Sequence, residues 1–156
     1  MITQDDIVKV KGIAEEFFQK MTIATPKIVA DFSSVENSDV VELNVVLDEP
    51  QILIGEKGQT LFEIQRLLRF ILNKKLQKIF YLNLDINDYK KKKTEYLKEL
   101  ARDLANEVAL TKEEKALFSM PAYERRIIHT ELSQRQDVIT ESQGEGQDRH
   151  IVIKPK

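Results

Sequence analysis

The chain predicts an α+β protein made of two small units in succession. Three observations carry that expectation. Apolar residues alternate between the three-and-four spacing of amphipathic helices and the every-second-residue spacing of half-buried strands. These patterns fall into two groups that part near Ile86 to Tyr89, with no flexible linker between them. The 156 residues are 42% hydrophobic and 32% charged, a balance that suits folded domains better than a disordered chain.

The first unit, residues 1–87, reads α-β-β-α-α-β. Ile7, Val10, Ala14, Phe17, Phe18 and Met21 line one face of an opening helix, and Thr3 stands three residues before Asp6 as an approximate capping box. Pro26 and the Asn37-Ser38-Asp39 cluster bracket a strand in which Ile28, Ala30 and Phe32 alternate. Val41, Leu43, Val45 and Leu47 form a second strand, so the pair reads as a hairpin. A short apolar turn after Pro50 leads into Gly55-Glu56-Lys57-Gly58. The stripe Leu61, Ile64, Leu68, Ile71 and Leu72 then marks a helix, and Ile79 to Ile86 a strand with Leu82, Leu84 and Ile86 on one face.

The second unit, residues 88–156, opens on a long helix carrying Leu97, Leu100, Leu104 and Val108, for which Asn87 is the expected cap. A break near Thr111 precedes Ala116-Leu117-Phe118. Pro121, suited to a first helical turn, starts a helix that runs to about Leu132. Short strands near Val138 to Glu141 and Arg149 to Ile153 flank Gly144-Glu145-Gly146, a hairpin signal.

Composition excludes several classes. Without cysteine there are no disulfides and no thiolate metal sites, and two histidines are too few for a metal centre, so no metal or cofactor is expected. The acidic start is not a signal peptide, and no apolar run approaches the roughly 20 residues of a membrane helix. A cytoplasmic protein follows by elimination. The formal charge is −2. Residues 1–87 hold 10 Lys/Arg and 13 Asp/Glu, hence −3, and residues 88–156 hold 14 and 13, hence +1. Neither half is basic enough to bind nucleic acid by charge alone; any such contact is a local patch. No Walker loop, nucleophile motif or carboxylate pair stands out, so no enzyme is expected.

Two constellations remain. Gly55 and Gly58 let the backbone turn tightly and approach a ligand, and the helix behind them offers unpaired N–H groups to a phosphate. Lys57 favours an anion there and Glu56 opposes it; a plain helix-entry turn explains the same four residues. Arg125 and His129 stand four apart on one helix face, able to fork onto a phosphate and to donate or stack, or simply to serve as a surface arginine beside a half-buried histidine. Arg126 is a solvated charge or a partner of Glu124. Lys90 to Lys93 read as a solvated helix start; alternatively Lys91, Lys98 and Arg102, spaced seven and four, could form one basic stripe bridging the two constellations. Phe62, Phe70, Tyr81, Tyr89 and Tyr123 read as packing residues, Tyr81 beneath a helix.

Context adds a resemblance. An Ile-Gly-x-x-Gly loop between two helical segments, after a hairpin and before a strand, resembles a KH domain of type II. The stretch Met120-Pro121, Tyr123 to His129, Asp137-Val138, Gly144-Glu145 and Arg149 with Ile151-Val152-Ile153 resembles the R-three-H domain, named for its Arg-x-x-x-His pair. That order is similar to the bacterial Jag (SpoIIIJ-associated) family, many members of which carry a further N-terminal domain; a form without that domain is the expectation here. The resemblance implies a non-catalytic regulator that binds single-stranded RNA or DNA. Gly55, Glu56, Lys57 and Gly58, with Gln59 and Thr60 behind them, would hold the backbone of about four nucleotides, and Arg125, Arg126, His129 and Arg149 would make a second contact. It also implies a small KH-domain protein as a partner, and, with Glu56 weakening the loop, an adaptor between proteins is the alternative.

Overall fold

A computed structural model describes residues 1–21, 26–35 and 38–156 and divides them into two compact units, Met1–Lys90 and Lys91–Lys156. Both are mixed α+β. Among the described residues no helix is long and apolar enough to cross a membrane.

In the first unit, α1 (Gln4–Lys20) starts on a capping box. The Thr3 hydroxyl accepts the Asp6 N–H at 3.3 Å, and the Asp6 carboxylate accepts the Thr3 N–H at 2.8 Å. The same carboxylate takes the Thr3 hydroxyl and the Lys78 ammonium. These donors, Lys78 foremost, hold Asp6 well below the usual carboxylate range. The helix buries Ile7, Val10, Ala14 and Phe18 against a three-stranded sheet.

Strands β1 (Lys27–Val35) and β2 (Ser38–Val46) pair antiparallel, and β3 (Tyr81–Ile86) joins β2 in parallel, giving the order β1-β2-β3. Asn37, expected at the hairpin turn, lies outside the described residues. Between β2 and β3 run α2 (Gln51–Ile54), a 3₁₀ turn (Glu56–Gly58) and α3 (Gln59–Leu76). The apolar stripes meet as the periodicities require: Val41, Leu43 and Val45 from β2, Leu82, Leu84 and Ile86 from β3, and Leu61, Leu68 and Leu72 from α3 share one core.

Helix α3 also reaches the backbone of β3 and of the residue just before it. Gln65 Oε1 accepts the Leu84 N–H at 2.9 Å, and Arg69 Nε donates to the Phe80 carbonyl at 3.1 Å. Four expectations change here. Phe70 is 67% and Tyr81 54% exposed, so neither is a core residue. Tyr81 lies on the face of β3 opposite the buried Leu82 and Leu84, and the Arg69 guanidinium lies 4.7 Å from its ring. Asn87 has its amide bonded in both directions to Leu47, accepting the N–H at 2.9 Å and donating to the carbonyl at 2.8 Å, so that it ties the end of β3 to the end of β2. Ile79, the expected start of the third strand, precedes β3 and is exposed.

The second unit is built on α4 (Tyr89–Thr111), which begins in the last two residues of the first. Its buried line is Leu97, Ala101, Ala105 and Val108; Leu100 and Leu104 flank it half-buried, because small residues let the helix approach its neighbours closely. A two-residue strand β4 (Lys115–Ala116), not anticipated, pairs with β6 (His150–Pro155), which pairs with β5 (Val138–Gln143), all antiparallel in the order β4-β6-β5. Helix α5 (Ala122–Leu132) follows Pro121, which sits at the N-cap with extended backbone, one residue earlier than expected. The core closes over Ile128, Leu132, Val138, Ile151 and Ile153.

Candidate nucleic-acid interface

The glycine loop of the first unit is a chain of left-handed residues. Gly55 has φ +71°, Lys57 φ +52° and Gly58 φ +80°, conformations that cost little for glycine and more for other residues. Both glycines also stand where a side chain would collide with the protein itself. A Cβ on Gly55 would come within 2.0 Å of Thr60 Oγ1, and one on Gly58 within 2.7 Å of the Tyr89 ring. The close approach that the sequence suggests is therefore made, at least in part, to Thr60 and Tyr89. Glu56, Lys57, Gln59 and Thr60 are exposed. Helix α3 starts at Gly58 without a side-chain cap, which leaves the positive end of its dipole and its first N–H groups facing the loop.

In the second unit the structure draws three predicted residues together. Met120 is the shared anchor of two of them: its carbonyl accepts from the Arg125 guanidinium at 3.1 Å, and its N–H donates to the Arg149 carbonyl at 3.1 Å. Strand β5 anchors the third and the side chain of the second. His129 Nδ1 lies 2.5 Å from Thr140 Oγ1, and Arg149 Nε donates to Ser142 Oγ at 3.0 Å. Thr140 and Ser142 are two residues apart, so the pleat places both hydroxyls on one face of β5, about 7 Å apart along the strand. Arg125 and His129, one turn apart on α5, complete a strip with two guanidiniums and an imidazole. Burial, and next the Arg125 charge, push the His129 imidazole below its ordinary value. Its neutral form is thereby favoured near neutral pH.

Thr140 and Ser142 have no place in the sequence pattern, and Met120 enters it as part of the R-three-H resemblance rather than as a support for the two arginines. Two hydroxyls at alternate positions of a strand are a faint signal, and only the packing of α5 on β5 shows what they hold. Arg126 is exposed and, among the described residues, pairs with no carboxylate; Glu124 lies buried and accepts from the Tyr123 hydroxyl at 2.9 Å. The basic stripe on α4 is less available than its spacing suggests. Lys98 stands 3.7 Å from Glu95, and Arg102 pairs with Glu131 at 3.2 Å. Among the described residues no three of His, Cys, Asp and Glu approach closely enough to hold a metal ion.

Comparison with known proteins places the sequence among relatives. Residues 95–155 match the R-three-H domain. The chain is 38% identical over 144 residues to the RNA-binding protein KhpB of Clostridium symbiosum, covering 91% of this chain and 63% of that protein. It is 35% identical over 129 residues to the RNA-binding protein KhpB of Bacillus subtilis, covering 81% and 62%. A KhpB from Streptococcus pneumoniae is 29% identical over 126 residues, covering 81% and 38%. The chain thus spans about three fifths or less of the length of these relatives.

Proposed function

Because the chain belongs to the Jag family, the family of the RNA-binding proteins KhpB, we propose that it binds single-stranded RNA and acts as a cytoplasmic bacterial regulator by binding rather than by catalysis. The observation that carries this reading is the strip in the second unit. Two guanidiniums and an imidazole are held in place by a carbonyl and two hydroxyls, which leave the charge of the guanidiniums unneutralised. Guanidiniums so presented suit phosphate oxygens. The first unit would be a KH domain in which Gly55, Glu56, Lys57 and Gly58, with Gln59 and Thr60, receive the nucleic-acid backbone. Its element order, α-β-β-α-α-β, and the uncapped start of α3 support that assignment.

The test is a titration of labelled single-stranded RNA at several salt concentrations. Affinity should fall with salt at about 0.7 in logarithmic slope per phosphate neutralised. Arg125→Ala should weaken binding on all sequences and shallow that slope by about one contact. RNA that fails to bind even at low salt would overturn the proposal. Glu56 favours a second reading, in which the loop has lost its grip and the protein serves as an adaptor, with a small KH-domain protein as its partner. Tight binding of such a protein alongside undetectable RNA binding would select it.

A further inference from the structure

We propose that Lys93, Tyr96 and Phe118 form a nucleobase-stacking site on the second unit, taking an unpaired base of the strand whose phosphates lie along Arg125 and Arg149. The inference rests on the RNA-binding reading above and adds to it a place for the base.

The segment Leu117-Phe118-Ser119-Met120 is pinned at both ends. The Leu117 N–H donates to the Ile151 carbonyl at 2.8 Å, the Met120 N–H to the Arg149 carbonyl at 3.1 Å, and both side chains are buried. Phe118, between them, is turned outward and 46% exposed. Tyr96, on α4, is 51% exposed. The Lys93 ammonium stands 5.8 Å from the centroid of each ring. A single exposed aromatic on a surface needs no explanation, but two rings flanking one cation are a built arrangement.

The cation is fixed from beneath. Glu124, 1% exposed, lies 3.9 Å from the Lys93 ammonium and accepts the Tyr123 hydroxyl. A buried carboxylate thus keeps Lys93 in position between the rings, where it would otherwise extend into water. An ammonium has three donors; those directed away from Glu124 can meet carbonyl or ring-nitrogen acceptors on the edge of a base whose face lies on Phe118 or Tyr96. Stacking of this kind tolerates any base, because each presents a π-face.

Position supplies the link to RNA. Phe118 is two residues from Met120, which binds both Arg125 and Arg149, and two residues of chain span at most about 7 Å. The exposed ring therefore borders the cationic strip, so a phosphate on the guanidiniums and a base on Phe118 can belong to neighbouring parts of one strand.

The experiment compares two labelled strands of equal length in anisotropy titrations with the full chain, one an ordinary RNA and one an abasic ribose-phosphate backbone. The wild type should prefer the base-bearing strand by about 5- to 150-fold, the range for one base on one aromatic ring. Phe118→Leu should remove most of that preference and leave the salt slope unchanged. Tyr96→Leu, on a different element, should act in the same direction. Arg125→Ala should do the converse, lowering the slope and keeping the preference. Equal affinity of the wild type for both strands, or an undiminished preference in both leucine variants, overturns the stacking site alone. Failure of either strand to bind overturns the RNA reading with it.

Discussion

Gly58 rests against Tyr89 so closely that one added methyl group would meet the ring at 2.7 Å. The glycine loop is thus packed on a residue 31 positions later, at the first turn of α4. An Asp at Gly58, an obvious probe of phosphate contact, would disturb folding and binding together, and the loop is better tested at its exposed residues.

Gly58→Ala should destabilise the first unit by about 1–3 kcal/mol, through its positive φ and through contact with Tyr89. Denaturant unfolding of the single and double variants separates the causes. Adding Tyr89→Ala should recover part of the loss; strictly additive effects would show that the contact is unimportant.

Glu56→Lys should raise RNA affinity several-fold at low salt and steepen the salt slope by up to one contact, since it replaces a repelling charge with an attracting one on an exposed loop residue. Unchanged affinity in the same titration would place the nucleic-acid backbone elsewhere.

Thr140→Val keeps the shape of the side chain and deletes the hydroxyl beside His129. Stability should fall by about 1 kcal/mol, the usual worth of one hydrogen bond. RNA affinity should fall further than that of Ile139→Ala, which alters the opposite face of the same strand. Equal effects of the two on affinity would mean that the Thr140 hydroxyl does not orient the strip.

His129 makes stability depend on pH in a definite direction. Its folded value is lowered by burial and by Arg125, so between that value and the ordinary 6.5 the unfolded chain binds more protons. Stability therefore rises with pH across this interval, is complete above about 6.5, and is lost as acid protonates the folded imidazole. Thermal melts from pH 5 to 8 should show this trend weakened in His129→Gln; an identical profile in the variant would exclude His129 as its source.

Much of the fold was legible because periodicity reports which residues share a face. Leu82, Leu84 and Ile86 were assigned to a buried face for that reason, as were Leu61, Leu68 and Leu72. Periodicity does not report whether the opposite face is covered, and Tyr81 shows the difference: its alternation was read correctly, but it lies exposed under an arginine rather than a helix. Likewise Arg125 and His129 could be read from their spacing on one helix, whereas their supports at Met120 and Thr140 come from the preceding loop and a later strand. Asn87 has the composition of a helix cap, and its use as a clamp on Leu47 depends on a residue 40 positions away.

The bonds from α3 to β3 carry one more consequence, for solubility. A bare sheet edge is a template on which a foreign strand can zip up, and proteins blunt such edges to avoid aggregation. Here Gln65 occupies the Leu84 N–H and Arg69 the Phe80 carbonyl. An incoming strand would have to evict an amide and strip a guanidinium before gaining its own first bonds in their place. Gln65 and Arg69 act as gatekeepers of that edge, so replacing both should reveal itself as concentration-dependent light scattering while the individual molecules are still folded.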